Sequence, residues 1–236
     1  KGRRAYGFDD IAIVPSRRTR DPDDIDIRWT LGPYQFELPL LGSAMDGVVS
    51  PETAGMIGKL GGLAVLNLEG IWSRYEDPDE KLEEIAKLPP ELATRRMQEI
   101  YSEPVKPELI AQRIEEIKAH GVVACGSLTP QRVAKHHEVA LEAGLDILVI
   151  QGTVISAEHV SAQTEPLNLK EFIAELPIPC VVGGCASYNT GLHLMRTGAV
   201  GVLVGVGPGA ACTTRGVLGI GVPQATAIAD VAAARG

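Results

Sequence analysis

Three features of the sequence predict an α/β fold, either a barrel or a doubly wound sheet. Short apolar runs ending in Gly, Ser or Asp recur along the chain, and most are followed by a longer segment with helical periodicity. Most of the runs are apolar throughout rather than alternating, which fits parallel strands buried on both faces. Such a sheet must be covered by helices, and the alternation supplies them. With 236 residues the chain is long enough to bury a core without disulfide or metal staples.

The expected strands are Phe36–Ala44, Leu63–Leu68, Val122–Leu128, Ile147–Gln151, Cys180–Gly183 and Val200–Val204. Helices fall between them. The segment from Ser50 to Gly61 opens on Ser-Pro-Glu, a serine cap followed by proline at the first helical position, and stops at Gly-Gly. Lys106–His120, Thr129–Ala143, Leu169–Glu175 and Tyr188–Thr197 follow similar rules, with Gly121, Gly144 and Gly198 as left-handed stops. Residues 70–107 break the rhythm with clustered charge (RYEDPDEKLEEIAK) and prolines, and read as a surface excursion. No repeat or linker stands out, so residues 1–236 are expected to form one domain.

Composition narrows the partners. The net charge is −8, and the acidic residues are spread along the chain, which disfavours a nucleic-acid groove or an anionic membrane surface and leaves a small molecule. Glycine is abundant, 26 residues, against a usual share of ~7%. The four cysteines, Cys125, Cys180, Cys185 and Cys212, lack CxxC spacing, and the start KGRRAYGFDD has no apolar stretch of signal-peptide type. A reduced, cytoplasmic protein is expected. No apolar run approaches the ~18–20 residues of a membrane span.

The strongest chemical signal is GVLVGVGPGAACTTRGVLGIGVPQ, Gly201 to Gln224, where a buried strand enters a Gly-rich loop and a helix follows Pro223. Ligands of parallel α/β folds bind at the carboxyl ends of strands, which is where this loop lies. Cys212 is there a candidate nucleophile, its thiolate favoured by loop amides, a helix terminus or the nearby Arg215, or else a small apolar filler. Gly205 to Ala210 also fits G-x-G-x-x-A, but proline and Cys-Thr-Thr follow where the helix of a dinucleotide fold should begin. A second candidate is Gly42-Ser43-Ala44-Met45-Asp46-Gly47, in which Ser43 and backbone amides suit a phosphate, while Asp46 either orients a ligand or caps the turn before Ser50. His136 and His137 are expected to be solvated side chains on a helix face, and no transition-metal spacing is present.

These residues resemble the superfamily of inosine-5′-monophosphate (IMP) dehydrogenase and guanosine-5′-monophosphate (GMP) reductase. The likeness runs through Tyr6-Gly7-Phe8-Asp9-Asp10, Ile13-Val14-Pro15, Pro39–Asp46, Gly61–Val65, and above all Gly207 to Arg215 with Gly219 to Gln224. More narrowly, the chain looks like the bacterial IMP-dehydrogenase-related branch. The resemblance implies a (β/α)8 TIM barrel with its active site at the carboxyl-end face, of which this chain holds the first six βα units. An incomplete barrel would expose sheet edges, so the isolated segment is expected to fold poorly, and cooperative melting would refute that.

The resemblance assigns Cys212 to attack on C2 of a purine, with hydride passing to or from a nicotinamide, and Thr214 to help water or ammonia at C2. Ser43, Met45 and Gly209 match substrate-binding positions, Gln151 a cofactor position, and the backbone carbonyls of Gly207, Gly209 and Cys212 a potassium-binding loop. Three residues depart from the pattern: Ala210 stands for a phosphate-contacting serine, Gln151 for an aspartate near the nicotinamide ribose, and Cys185 for a common asparagine. About fifty residues separate Leu68 from Val122, too few for the paired regulatory module of most of the dehydrogenases. The expectation is therefore an NADPH-dependent GMP reductase, with IMP dehydrogenase or a non-catalytic nucleotide binder as alternatives. By the same resemblance its substrate is GMP or IMP, its cofactor NADP(H) with a potassium ion, and its assembly a homotetramer or homo-octamer.

Overall fold

The computed structural model describes residues 2–152 and 167–235. Strands and helices alternate as the sequence predicts. The chain is described in two compact units, Arg28–Val149 and Lys1–Ile27 with Ile150–Gly236.

The unit Arg28–Val149 opens with an antiparallel hairpin, β1 (Trp29–Leu31) and β2 (Tyr34–Phe36), that the sequence reading did not anticipate. Gly32, at φ 57°, makes its two-residue turn with Pro33. The rings of Trp29 and Phe36 stack at 4.8 Å. The single strand expected over Phe36–Ala44 is thus split: Phe36 ends the hairpin and only Leu41–Gly42 form β3. Pro39 between them has no N–H to give a ladder.

Helix α1 (Pro51–Lys59) starts where the serine cap predicts, with Thr53 N donating to Ser50 Oγ at 3.1 Å and Ser50 N to Thr53 Oγ1 at 2.7 Å. Strand β4 (Leu63–Asn67) then lies parallel to β3, Leu41 opposite Leu63.

The segment 70–107 is more than a surface excursion. It forms α2 (Asp79–Ala86) and α3 (Pro90–Ile100), and it buries Ile71, Trp72, Arg74, Ile100 and Val105. Arg96 clamps the two helices through Glu84 at 2.5 and 3.1 Å. Next, α4 (Pro107–Ala119) buries Leu109, Ile110, Ile114 and Ile117. Its Arg113, also buried, donates to the carbonyls of Trp72, Tyr75 and Glu76. Scattered apolar anchors and one arginine seat the segment, which is why its mean composition misleads.

Strand β5 (Cys125–Leu128) is parallel to β4, with Val65 opposite Cys125, and α5 (Val133–Glu142) follows. Strand β6 (Ile147–Gln151) begins here, Ile147 N donating to Ala124 O at 3.2 Å. The order within this unit is β3-β4-β5-β6. Leu63–Leu66, all of β5 and Ile147–Ile150 are buried, as unbroken apolarity requires.

In the unit Lys1–Ile27 with Ile150–Gly236, Gly152 beyond β6 donates to Gly183 O and accepts from Gly184 N, at 3.0 and 3.2 Å. Helix α6 (Leu169–Glu175) precedes β7 (Cys180–Cys185), which runs two residues beyond its expected end. After α7 (Tyr188–Met195), β8 (Gly201–Val204) lies parallel to β7, Val182 opposite Val202. The two strands approach so closely that a Cβ on Gly183 would sit 2.5 Å from Leu203 Cβ. Two helices end the chain, α8 (Thr214–Leu218) and α9 (Gln224–Ala233). Among the described residues no helix is long and apolar enough to cross a membrane.

Candidate active site around Cys212

Beyond β8 the chain turns at Gly205 and Gly207, both with positive φ. The loop is fastened to the segment leading into α9: Val222 N donates to Val206 O at 3.0 Å and Gln224 Nε2 to Val204 O at 2.8 Å. A Cβ on Gly207 would lie 3.0 Å from Ile220 O, so the residue must be glycine for space as well as for its φ of 74°. Cys212 N closes a tight turn onto Gly209 O at 3.0 Å, and α8 starts two residues later.

Cys212 is exposed at a cavity of about 790 Å³ lined also by Gly207, Pro208, Gly209, Arg215 and Gln224. The hydroxyl of Thr214, and with it the Thr214 backbone N–H, hydrogen-bond the thiol and hold its pKa below that of an ordinary cysteine. The expected cation is not the cause, although Arg215 lines the same cavity. Thr214 thus favours the thiolate, besides the part at C2 that the resemblance gives it. The other cysteines are buried, and burial pushes the Cys180 thiol up to about 12 and raises Cys185. Cys212 is the one cysteine of the four that is both accessible and biased towards thiolate.

The opposite wall was missed in the sequence. Gly7, Phe8, Asp9 and Asp10 line this cavity, held by a short 3-10 turn in which Gly7 N donates to Asp10 Oδ2 at 2.8 Å. Tyr6 is tied to α9 from both sides, its N–H to Thr226 Oγ1 at 2.8 Å and its carbonyl to Thr226 N at 3.2 Å, and Arg3 pairs with Asp230. Gln224 was likewise seen only as part of a motif. Its Oε1 is buried without a hydrogen-bond partner, an acceptor at the edge of the cavity.

Ser43 and Met45 belong to the other unit, in the loop after β3, and both are exposed. Met45 N donates to Ser43 O at 2.7 Å, and Met45 O accepts from Val48 N and Val49 N. Asp46 neither caps the Ser50 turn nor faces outward. It accepts from Ile71 N at 2.9 Å and from the Tyr101 hydroxyl, while its carbonyl takes the Trp72 indole N–H. Gly70 permits this: a Cβ there would lie 1.9 Å from Asp46 Oδ1. His136, expected to be solvated, is 1% exposed.

Gln151, half-buried at the end of β6, carries a carboxamide able both to donate to and accept from a ribose diol. Of the potassium donor set, the Gly209 carbonyl accepts from Cys212 N–H at 3.0 Å and keeps a second lone pair. Among the described residues no group of three or more His, Cys, Asp or Glu is placed to hold a metal ion.

A family model described as the IMP dehydrogenase / GMP reductase domain matches residues 5–236, and the chain belongs to this family. A crystal structure of an IMP dehydrogenase/GMP reductase-like protein from Corynebacterium glutamicum superposes with a TM-score of 0.92 at 44% identity, covering 99% of this chain and 62% of that one. The fold class is accordingly the α/β barrel, present here in part. An uncharacterized oxidoreductase of Mycolicibacterium smegmatis is 48% identical over 99% of this chain, and an inosine-5′-monophosphate dehydrogenase of Borreliella burgdorferi is 29% identical over 97%. The chain spans 64% of the length of the first of these relatives and 60% of the second.

Proposed function

We propose that this chain carries the nucleophile of a purine-nucleotide oxidoreductase, an NADPH-dependent GMP reductase that converts GMP, NADPH and a proton to IMP, ammonia and NADP⁺. The observation that carries the reading is the Cys212 thiol, exposed in an open cavity and held towards thiolate by Thr214.

Cys212 Sγ forms a bond to C2 of the purine, and the electron pair of the C2–N3 double bond moves to N3, which takes a proton. The bond from C2 to the exocyclic nitrogen then breaks, the nitrogen leaving as ammonia with a second proton while N3 gives its proton up and the ring double bond re-forms. Thr214, freed from the sulfur once its charge is spent in the C–S bond, offers its hydroxyl to the departing amine. A bound reduced nicotinamide supplies the hydride that C2 needs, and Gln151 is the residue we assign to its ribose. On product release the C–S bond breaks and its electron pair returns to Cys212. Gln224 Oε1 and Arg215 are the polar groups of the cavity available to the base and the phosphate, while only family likeness gives Ser43 and Met45 a part in nucleotide binding.

The reductase is preferred to the dehydrogenase because the span between β4 and β5 is occupied by α2, α3 and α4, with no inserted regulatory module. Cytoplasmic location, a homotetramer or homo-octamer, and potassium dependence belong to the same proposal.

The test is the absorbance of reduced nicotinamide, followed with GMP plus NADPH and in parallel with IMP plus NAD⁺, with and without potassium, using the complete gene product. Loss in the first cuvette is expected. Gain only in the second would make the protein a dehydrogenase, and silence in both would leave a nucleotide-binding role.

A further inference from the structure

A second cavity, of about 370 Å³, lies wholly within the unit Arg28–Val149. Its walls come from the segment after β4, through Arg74, Tyr101, Ser102 and Glu103, and from the start of α5, through Arg132, Lys135 and His136. None of these residues belongs to the Cys212 cavity.

The charges here are unbalanced. Arg74 is 7% exposed, and its guanidinium is held by main-chain oxygens: Glu69 O at 3.1 and 2.9 Å, and Glu103 O. Carbonyls solvate a guanidinium without neutralising it, so its charge remains. The guanidinium also sits 5.6 Å from the centre of the Tyr101 ring, and Tyr101 is anchored in turn by its hydroxyl on Asp46.

Three cationic side chains and one carboxylate, that of Glu103, line the cavity, and the nearby acids already have partners. Glu69 accepts from Thr129 N at 2.5 Å and lies 3.4 Å from Arg132; Glu103 lies 3.6 Å from Lys106; Asp46 is tied to Ile71 N. Lys135 has no carboxylate partner among the described residues. The independent sign of a ligand is His136, which is 1% exposed, lines the cavity, and has its Nδ1 buried without any partner. A buried ring nitrogen left unpaired is unfavourable unless something fills the space beside it. Burial first, and then the neighbouring Lys135 and Arg132 charges, hold its pKa down against the opposing pull of Glu69.

We propose that this cavity binds the phosphoryl group of a small phosphorylated ligand, held by Arg74, Arg132 and Lys135 with His136 Nδ1 as a further hydrogen-bond partner. Two arginines and a lysine around one cavity suit a dianion with many acceptor oxygens better than a single carboxylate. The volume exceeds what phosphate alone fills and falls in the range of small-molecule sites, which points to a phosphomonoester with a compact organic part. The inference does not depend on the role given to Cys212.

Calorimetric titration of the complete protein with ribose 5-phosphate, and separately with inorganic phosphate, tests this. Saturable binding is expected, weakened about tenfold or more by combining Arg132→Gln with Lys135→Gln, two exposed side chains whose loss should not unfold the protein. Resistance of the buried Cys125, Cys180 and Cys185 to alkylation verifies that the double variant is folded. Tighter binding of ribose 5-phosphate identifies a phosphomonoester site, whereas equal binding identifies a site for phosphate itself. No saturable binding of either probe, or a weakening below tenfold in the double variant, overturns the proposal.

Discussion

The two cavities are made in opposite ways. The Cys212 cavity is built largely from one continuous stretch, Gly207 to Gln224, closed by a strip at residues 7–10, and its reactive group is a single exposed thiol. The Arg74 cavity gathers side chains from positions 74, 101, 132, 135 and 136, and its character is a surplus of positive charge over buried neutral partners. Chemistry carried by neighbours in the chain can be read as a motif. Chemistry created by packing a charged segment against a helix start cannot.

Substitutions that touch one cavity and spare the other sharpen this contrast. The largest effect is expected from Cys212→Ala, which removes the nucleophile. Turnover should fall by ~1000-fold or more while nucleotide binding persists, measured by steady-state assay and calorimetry. Retained turnover would end the covalent mechanism.

Gly70→Ala should act on the other side. The added Cβ would collide with Asp46 Oδ1, displacing the carboxylate that anchors Tyr101 beneath Arg74. A loss of about 1–3 kcal/mol in stability is expected from urea unfolding, with Cys212 alkylation of the folded protein unchanged. An unperturbed unfolding curve would mean that Asp46 does not fasten this segment.

Thr214→Val has the smallest effect. It removes the hydroxyl bond to Cys212 Sγ but leaves the backbone N–H, so the thiol pKa rises. Less thiolate is then present at a given pH, and the alkylation profile should move to higher pH, with a rate near neutrality lower by roughly two- to fivefold. An unchanged profile would assign the depressed pKa to the loop backbone alone.

Much of the fold was legible because its grammar is local. The Ser50 cap, the left-handed stops at Gly121, Gly144 and Gly198, and the buried strand β6 all follow from adjacent residues. The hairpin β1–β2 was hidden because Phe36 reads as the start of an apolar run that Pro39 in fact interrupts. Segment 70–107 was misread because a few deeply buried side chains, Ile71, Trp72 and Ile100, are outnumbered by charged ones. At the site, Cys212 and Thr214 were found as neighbours in the chain. Asp9, Asp10 and Gln224 were quoted in motifs without a part to play, since only folding brings the first two beside the loop. His136 looked solvated because nothing in its neighbours shows which face of α5 is covered.

The paired hydrogen bonds between Tyr6 and Thr226 join residues 220 positions apart. During synthesis, the strip at residues 7–10 therefore waits for its other wall for roughly 10–40 s at ordinary elongation rates. Until Thr226 has left the ribosome, the growing chain has no assembled cleft, so an interrupted product carries the Cys212 thiol with one wall of its cavity unfastened.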